Sequence, residues 1–402
     1  MLRFSNHLVL AVLLVFTFHA VFVKNLVIAV EWNCAASTNA GTYTRATDCT
    51  IVGNSRVVIA SNNQFELTGE NKNMDALVSV TASSDNGHFS LLGGATLTIR
   101  YIKLTGGNPT GHGGSIRMDA DVGSTLNVYS SIFTNNNVAS GKNGGAIYSK
   151  FEGSGSKANI INIYDTFFDS NGNDCKNGGA ILAHTTVLNV YNATFSGNGP
   201  VNQEGGAIKI KTGDLNVWNS TFNGNSAVVR AGAIASFNNG DVIWNNVKIG
   251  CNVDIQNSIF ENNIVTTTDT TKQGGAAFYL AGKTAFSVRE VSFVSNEAKN
   301  NRGHIISTYT TTLVPTISII NSYFDNPSDS NNFYETNSNY APTFTTCSGS
   351  PCTVSPFTGT CAAVSSTNEK LGVVCNYDSS TSCSNGGIVI PVSNYTFLCH
   401  LP

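Results

Sequence analysis

Carboxylates and histidines are the side chains best suited to acid–base chemistry, and few of them lie close together in this sequence. Asp119 and Asp121 are two positions apart in a predicted glycine-rich insertion before Leu126, and His112 precedes them between two glycines. Hydrolysis of a glycosidic bond requires two carboxylates flanking the bond. Elimination requires carboxylates that hold Ca²⁺ and a basic group that removes a proton. No further carboxylate or paired basic residue accompanies these three residues, so the sequence favours a protein that is not an enzyme. A site assembled from distant segments is left open.

Four aromatic residues occupy the same place in consecutive repeats and are the stronger candidates for binding. They follow Leu-x-Val or equivalent pairs: Tyr129, Tyr164, Tyr191 and Trp218. Asparagines stand two positions before each of them: Asn127, Asn162, Asn189 and Asn216. An aromatic row flanked by amides can stack on sugar rings or anchor a protein partner. The same row can also form by cross-strand stacking that only stabilises a sheet, and both interpretations remain open.

The ten cysteines are typical of a protein folded in an oxidising compartment. Cys34 and Cys49 flank a polar loop and are predicted to form a disulfide. Cys175 and Cys251 are predicted to lie in separate insertions, where they pair only if those insertions meet. Six more predict a small disulfide-stapled module whose pairing the sequence does not select: Cys347, Cys352, Cys361, Cys375, Cys383 and Cys399. No cysteine or histidine group has zinc-site spacing, so neither a metal nor a cofactor is predicted.

A sequence repeat positions all of these residues. It opens with Gly-Gly-Ala-Ile or a close variant at 113–116, 144–147, 178–181, 205–208, 231–234 and 274–277. It closes with Phe-x-x-Asn at Phe133, Phe168, Phe195, Phe222, Phe260 and Phe293. The shortest intervals between these landmarks are close to 27 residues, and longer intervals are typical of loop insertions between repeats.

Within each repeat the apolar residues alternate with a period of two, as in Leu188-x-Val190 and Leu215-x-Val217. This period indicates short strands, because alternate side chains of a strand point to the same face. Two strands and their turns fill one repeat, and such coils stack at about 4.8 Å to form parallel sheets. The sequence therefore predicts an all-β chain folded as a parallel β-helix, with corner asparagines forming a hydrogen-bonded ladder.

The alternation of Gly-Gly-Ala-Ile with Phe-x-x-Asn over residues 113–296 resembles the repeats of the chlamydial polymorphic outer membrane proteins. The resemblance implies a right-handed, single-stranded β-helix of the pectin-lyase-like kind, displayed on a surface and used for adhesion. Those proteins are similar to autotransporters with a C-terminal membrane barrel. This sequence ends instead in a Cys-rich segment without ten-residue alternating strands, so no transmembrane barrel is predicted.

The N-terminal sequence suggests export, and the chain as a whole is predicted to divide into four segments. Arg3 and the apolar run from Leu8 to Val23 predict a signal peptide over 1–29, cleaved after Ala20 or Ala29, with an uncleaved anchor as the alternative. Residues 30–100 are predicted to form an N-terminal cap and the first coils, and residues 101–326 the regular β-helix. Residues 327–402 are predicted to form a linker and the Cys-rich C-terminal module.

Three Asn-x-Thr triplets are candidate glycosylation sites, at Asn192, Asn219 and Asn394. Asn192 and Asn219 hold equivalent positions in successive repeats, so a shared structural role is an equally good explanation for them. If glycans are attached, they are expected on a secreted protein, which agrees with the predicted signal peptide.

Composition and charge point to function only in part. Charged residues make up 12% of the chain, and the net charge is −3, unlike the basic footprint of a nucleic-acid-binding protein. We expect a secreted or cell-surface, non-catalytic adhesin that binds an extracellular glycan or a surface protein. The alternatives are a polysaccharide lyase or glycoside hydrolase that acts on pectin-like polymers, and a structural component of a cell wall or matrix.

Overall fold

The computed structural model describes residues 30–324 apart from short gaps, together with the backbone of six later strands. The gaps are 37–39, 53–54, 84, 152–157, 239–241, 245–246, 250, 310–314 and 321. The predicted signal peptide, the side chains of the six C-terminal cysteines and Asn394 lie outside the described residues.

The prediction of an all-β parallel solenoid is confirmed. Each coil contributes one strand to each of three parallel sheets, and equivalent strands of successive coils pair in register. Two of these sheets join into one 20-stranded sheet, because the strands Ile181–Tyr191 and Ile208–Trp218 run continuously around the corner between them.

The first sheet contains the first halves of those two long strands and the strands Val57–Ile59, Phe89–Leu91, Ile116–Ala120, Ile147–Phe151, Ile234–Asn238, Phe278–Gly282, Ile306–Tyr309 and Phe333–Glu335. The second sheet contains their second halves and Val30–Glu31, Gly41–Arg45, Gln64–Gly69, Thr96–Arg100, Thr125–Tyr129, Asn159–Tyr164, Cys251–Gln256, Thr284–Arg289, Thr316–Ile320 and Thr343–Thr346. The third sheet contains Cys49–Thr50, Val78–Thr81, Ile102–Thr105, Ile132–Thr134, Phe167–Asp169, Thr194–Ser196, Thr221–Asn223, Ile259–Glu261, Ser292–Val294 and Tyr323–Phe324.

Smaller elements lie between the coils and beyond them. A three-stranded parallel sheet contains Ser226–Ala227, Ile264–Val265 and Glu297–Ala298, and a 3-10 turn spans Met74–Ala76. Three antiparallel hairpins pair Val242–Trp244 with Val247–Ile249, Cys361–Val364 with Gly372–Cys375, and Ile388–Ser393 with Thr396–His400.

The core consists of columns of side chains that repeat once per coil. The isoleucines of the repeat openings form one column, which is fully buried at Ile147, Ile181, Ile208 and Ile234. The repeated phenylalanines form a second column, in which Phe195 stacks on Phe168 and on Phe222 with ring centroids 4.7 Å apart. Burial of each such side chain contributes roughly 1.5–3 kcal/mol, so this stack is a major source of stability.

Paired glycines form the corner that precedes several first-sheet strands, as at Gly144-Gly145, Gly178-Gly179 and Gly205-Gly206. Gly205 has a φ of +72°, in the left-handed region that favours glycine. A Cβ on Gly206 would lie 2.1 Å from the carbonyl oxygen of Gly232 in the next coil. The repeated Gly-Gly pair is therefore needed both for backbone conformation and for the close approach of successive coils.

The Phe-x-x-Asn asparagines form the predicted ladder at a buried corner. Its members are Asn136, Asn171, Asn198, Asn225, Asn263 and Asn296. The Nδ2 group of Asn171 donates to Asn198 Oδ1 at 3.0 Å and to the Phe133 carbonyl at 2.9 Å, so both of its N–H bonds have partners. Full pairing is what makes a buried amide tolerable.

Aromatic packing and a disulfide close the N-terminal end. Trp32 is buried against Phe65 and Phe89, with ring centroids 6.0 and 5.9 Å away. The predicted disulfide between Cys34 and Cys49 is confirmed, with Cα atoms 6.5 Å apart. These contacts cover the end of the core, which would otherwise be open to water.

Candidate functional site

The four aromatic residues singled out in the sequence form one continuous row on the outer face of the second sheet. Tyr164 stacks on Tyr129 and on Tyr191, with ring centroids 5.1 and 5.0 Å apart and planes within 6° of parallel. Trp218 follows at 6.2 Å from Tyr191. Because each inner ring stacks on its neighbours, ring edges and hydroxyl groups are the main surfaces that the middle of the row offers to solvent.

The two ends of the row differ in chemistry. At one end the Arg100 guanidinium lies 3.9 Å from the centre of the Tyr129 ring and pairs with Glu66 at 3.0 Å. At the other end Trp218 is 40% exposed and is followed in register by Gln256. A ligand that needs an open aromatic face therefore meets it at Trp218.

A second row, made of amides, runs beside the aromatic row on the same face. The Nδ2 group of each asparagine donates to Oδ1 of the asparagine in the preceding coil: Asn216 to Asn189 at 2.8 Å, Asn189 to Asn162 at 2.8 Å, and Asn162 to Asn127 at 2.9 Å. Asn127 donates in turn to the Thr98 hydroxyl at 3.4 Å. All four side chains are half-buried and point outward from the sheet.

A third column on this face is largely apolar. Thr125, Ile160 and Val187 are in register two positions before the amides, and Ile160 is 38% exposed. They line a groove of about 460 Å³ together with Asn62, Gly94, Val122, Gly123 and Ala158. The amide row therefore runs between an aromatic column and an apolar groove, an arrangement suited to a ligand with both polar and apolar surfaces.

The hydroxyl of Tyr164, in the middle of the row, remains protonated. Partial burial, with smaller contributions from the neighbouring phenols of Tyr191 and Tyr129, raises the pKa of Tyr164 above its ordinary value. A protonated phenol both donates and accepts hydrogen bonds. The aromatic column therefore adds polar groups to the edge of the amide row.

The carboxylates and the histidine considered first do not form an acid–base pair among the described residues. Asp119 does not lie in an insertion, as its glycine-rich surroundings suggested, but in the first-sheet strand Ile116–Ala120, where Arg117 holds it at 2.6 Å. Asp121 lies beyond the end of that strand and is exposed. The carboxylate of Asp119 is thus committed to an ion pair.

His112 is held neutral in a structural role. Its ring stacks on Tyr148 with centroids 4.4 Å apart, and Nδ1 accepts the backbone N–H of Asn143 at 3.1 Å. Burial, followed by the charges of Lys142 and Arg117, lowers the pKa of His112. With Nδ1 occupied as an acceptor, the proton of the neutral ring resides on Nε2, which leaves neither nitrogen as a free base.

The structure also contains a buried ion-pair cluster that sequence reasoning missed. Glu204 pairs with Lys209 at 2.7 Å and with Arg230 at 2.5 Å, and Arg230 also lies over the Tyr279 ring. Burial favours a raised pKa for Glu204, but the two cations outweigh it and hold the pKa below its ordinary value. These charges satisfy one another between coils. Glu204 and Arg230 each stand directly before a repeat opening and pair as a bridge between successive coils, so the repeat itself indicates this contact.

The two other described cysteines are free and buried. Cys251 does not lie in an insertion but begins the second-sheet strand Cys251–Gln256, and Cys175 lies in a small apolar cluster between coils. Burial raises the pKa of each thiol to about 12. Neither has the thiolate character of a reactive cysteine.

Two candidate glycosylation sites share one backbone role. Asn192 and Asn219 are exposed at the corner after the second-sheet strand, with φ values of +52° and +50°. The same corner has positive φ at Tyr101, Ser130, Asp165, Asn257 and Glu290. Asparagine tolerates this conformation better than most residues, which supports the structural explanation of their equivalence without testing glycosylation.

The fold and this face together define a parallel β-solenoid with a repetitive outer surface. Comparisons of the chain with protein-family models, curated proteins and solved structures found no match. Among the described residues, no helix has the length and apolar character needed to cross a membrane. The same residues contain no group of three or more His, Cys, Asp or Glu side chains placed to hold a metal ion.

Proposed function

We propose that the protein is a secreted or cell-surface, right-handed β-helix adhesin that binds an extracellular partner without catalysis. The proposed surface is the outer face of the second sheet. The observation that carries the proposal is the continuity of the aromatic and amide rows over four coils, beside an apolar groove. A repetitive surface of this kind suits a partner that is itself repetitive.

Two further observations support parts of the proposal. The Cys34–Cys49 disulfide agrees with folding in an oxidising compartment, as export requires. The right hand is the one that strand–crossover–parallel strand connections adopt almost without exception. Asp119 is held in an ion pair and His112 is neutral, so binding accounts better for these residues than hydrolysis or elimination does.

The proposal is tested with the full secreted chain on immobilised glycans and on cell-surface extracts. The test variant replaces Tyr164, Tyr191 and Trp218 with serine. Phe167→Ser is the matched control, because Phe167 is an exposed aromatic residue on the third sheet, 45% exposed. We expect the triple variant to lose at least tenfold in affinity and the control to bind like the unmodified chain.

A parallel assay on pectin-type polymers measures new reducing ends and unsaturated products. Absence of turnover together with binding is the expected result. Product formation would overturn the non-catalytic proposal, and equal binding by the triple variant and the control would overturn the assignment of the surface. Thermal unfolding of each variant checks that any loss of binding is not a loss of fold.

A further inference from the structure

In the amide row on the outer face, hydrogen bonds between the amides use only half of the donors and acceptors. Each asparagine carries two N–H donors and an oxygen that can accept twice. Within the described residues, Asn162 and Asn189 each donate once and accept once, both along the solenoid axis. One N–H and one acceptor site on each amide therefore remain unpaired.

In the buried ladder, by contrast, both N–H donors of an amide are paired. Asn198 donates to Asn225 Oδ1 at 2.9 Å and to the Phe168 carbonyl at 2.9 Å, so both of its N–H bonds are committed. No carbonyl takes the second N–H of Asn189 among the described residues, and this side chain is half-buried on the sheet surface. The spare groups of the outer row are thus available to a ligand.

We infer that the outer amides of Asn127, Asn162, Asn189 and Asn216 bind the hydroxyl groups of an extended, neutral glycan chain that lies along the solenoid axis. This inference rests on the proposed function and names the chemical class of its partner. A sugar hydroxyl donates and accepts at once, which matches the spare donor and spare acceptor on each amide. Successive amides are one coil apart, about 4.8 Å, close to the advance per unit in an extended, equatorially linked glycan.

Charge on this face favours a neutral ligand. The nearby charged groups are already neutralised or hydrogen-bonded: Glu66 pairs with Arg100, Asp254 accepts from Gln256 at 2.9 Å, and Asp214 accepts from Asn252 at 2.8 Å. The columns on either side of the amides are aromatic and largely apolar. A carboxylated or sulfated chain would meet the carboxylate of Asp254, which follows Asn216 in register, and the exposed cation Arg289 lies two coils beyond Trp218, outside the amide row. A neutral chain would lose no charge solvation on binding.

The length of the amide row predicts how affinity depends on the number of sugar units, and this can be tested on the unmodified chain. The probes are cello-, xylo- and manno-oligosaccharides of two to six units, measured by titration calorimetry against the full secreted chain. For at least one series, affinity should rise with each unit up to about four units and then level off, because four amides form the row. An affinity that does not depend on length in any series would overturn the inference.

The variant Asn162→Leu/Asn189→Leu tests the amides directly, with Asn223→Leu as the matched control. Asn223 is an outward asparagine on the third sheet whose Oδ1 also accepts a cross-coil hydrogen bond, from Asn262 at 3.3 Å. We expect the double variant to lose tenfold or more in affinity for the tetrasaccharide, since each substitution removes the donor and the acceptor that face the glycan hydroxyls. The control should lose less than about twofold.

The outcomes separate this inference from the proposed function. If the chain binds a protein or an acidic glycan and none of the neutral series, the inference is wrong, whereas the proposed function is still supported as long as the serine variant of the aromatic row loses that binding. If the serine variant of the aromatic row loses binding while the leucine variant keeps it, the amide assignment alone is wrong. If the unmodified chain binds nothing on arrays or in extracts, both fail.

Discussion

Asn189 donates a hydrogen bond from Nδ2 to Oδ1 of Asn162 at 2.8 Å, although 27 residues separate them in the chain. That interval is one coil, so the contact follows from the repeat itself. The same amide chemistry occurs twice per coil, once buried and fully paired and once on the surface and half paired. This difference between two asparagine ladders allows one to be assigned to stability and the other to binding.

The first prediction compares the two ladders by alanine substitution. Asn198→Ala should lower the free energy of unfolding by about 3 kcal/mol or more, because it removes partners from Asn171, Asn225 and the Phe168 carbonyl in the core. Asn189→Ala should cost less than about 1 kcal/mol, because water can replace its partners. Urea unfolding with a common slope measures both, and equal losses would contradict the division of roles.

A second prediction concerns the glycine corner. Gly206→Ala should destabilise the protein by at least about 2 kcal/mol, because the new Cβ would lie 2.1 Å from a backbone oxygen of the next coil. Gly111→Ala is the control, since no atom lies within 4 Å of its Cβ position. The control should be neutral or slightly stabilising, because alanine restricts the unfolded chain. A similar loss in both variants would argue against close packing of coils at Gly206.

The third prediction is a pH dependence that arises from His88. This histidine is completely buried, with Nε2 facing the carbonyls of Val80 and Thr105 at 3.0 and 3.1 Å and Nδ1 facing the Ser115 hydroxyl at 3.0 Å. Carbonyls only accept, so Nε2 carries the proton and the ring is neutral. Burial is the main cause that lowers the pKa of His88 to about 3.

The direction in which stability changes with pH follows from which state of the chain binds the proton. Between about pH 6.5 and pH 3 the unfolded chain binds a proton at His88 that the folded chain does not, so stability is present above this window and falls as pH falls through it. The slope from this residue is at most about 1.4 kcal/mol per pH unit. Unfolding from pH 7 to pH 4 should show a steeper loss for the unmodified chain than for His88→Gln. If the free energy of unfolding falls equally with pH in both proteins, groups other than His88 cause the acid sensitivity.

The fourth prediction concerns the Cys34–Cys49 disulfide, whose cysteines are 15 residues apart. Cys34→Ala/Cys49→Ala should lower the free energy of unfolding by about 3 kcal/mol, as expected for a loop of this length. Reductant should destabilise the unmodified N-terminal end to the same extent. Limited proteolysis near Trp32 reports on that end separately from the C-terminal cysteines. If the double variant resists proteolysis as well as the oxidised chain does, the disulfide contributes little to the stability of the N-terminal end.

The repeat made most of the fold predictable. Period-two alternation identifies inward positions such as Leu188 and Val190, and both are fully buried. The pattern was harder to follow where loops interrupt it. Cys251 was assigned to an insertion, but the strand that it begins continues as Val253-x-Ile255, which is the same alternation displaced by a long connection. The misplacement of Asp119 has the same cause, since glycines after the strand obscured where it ended.

The repeat is sufficient to predict the coil, because a short repeat with alternating apolar residues has one efficient way to bury them, and the spacing sets which residues stack. The repeat also locates the aromatic and amide rows, since equivalent positions in successive coils must align. What those rows present to a partner becomes visible only in the folded protein. The rings stack on one another, and each outer amide keeps one N–H free. Both depend on side-chain torsions and on packing between coils, which residue spacing does not specify.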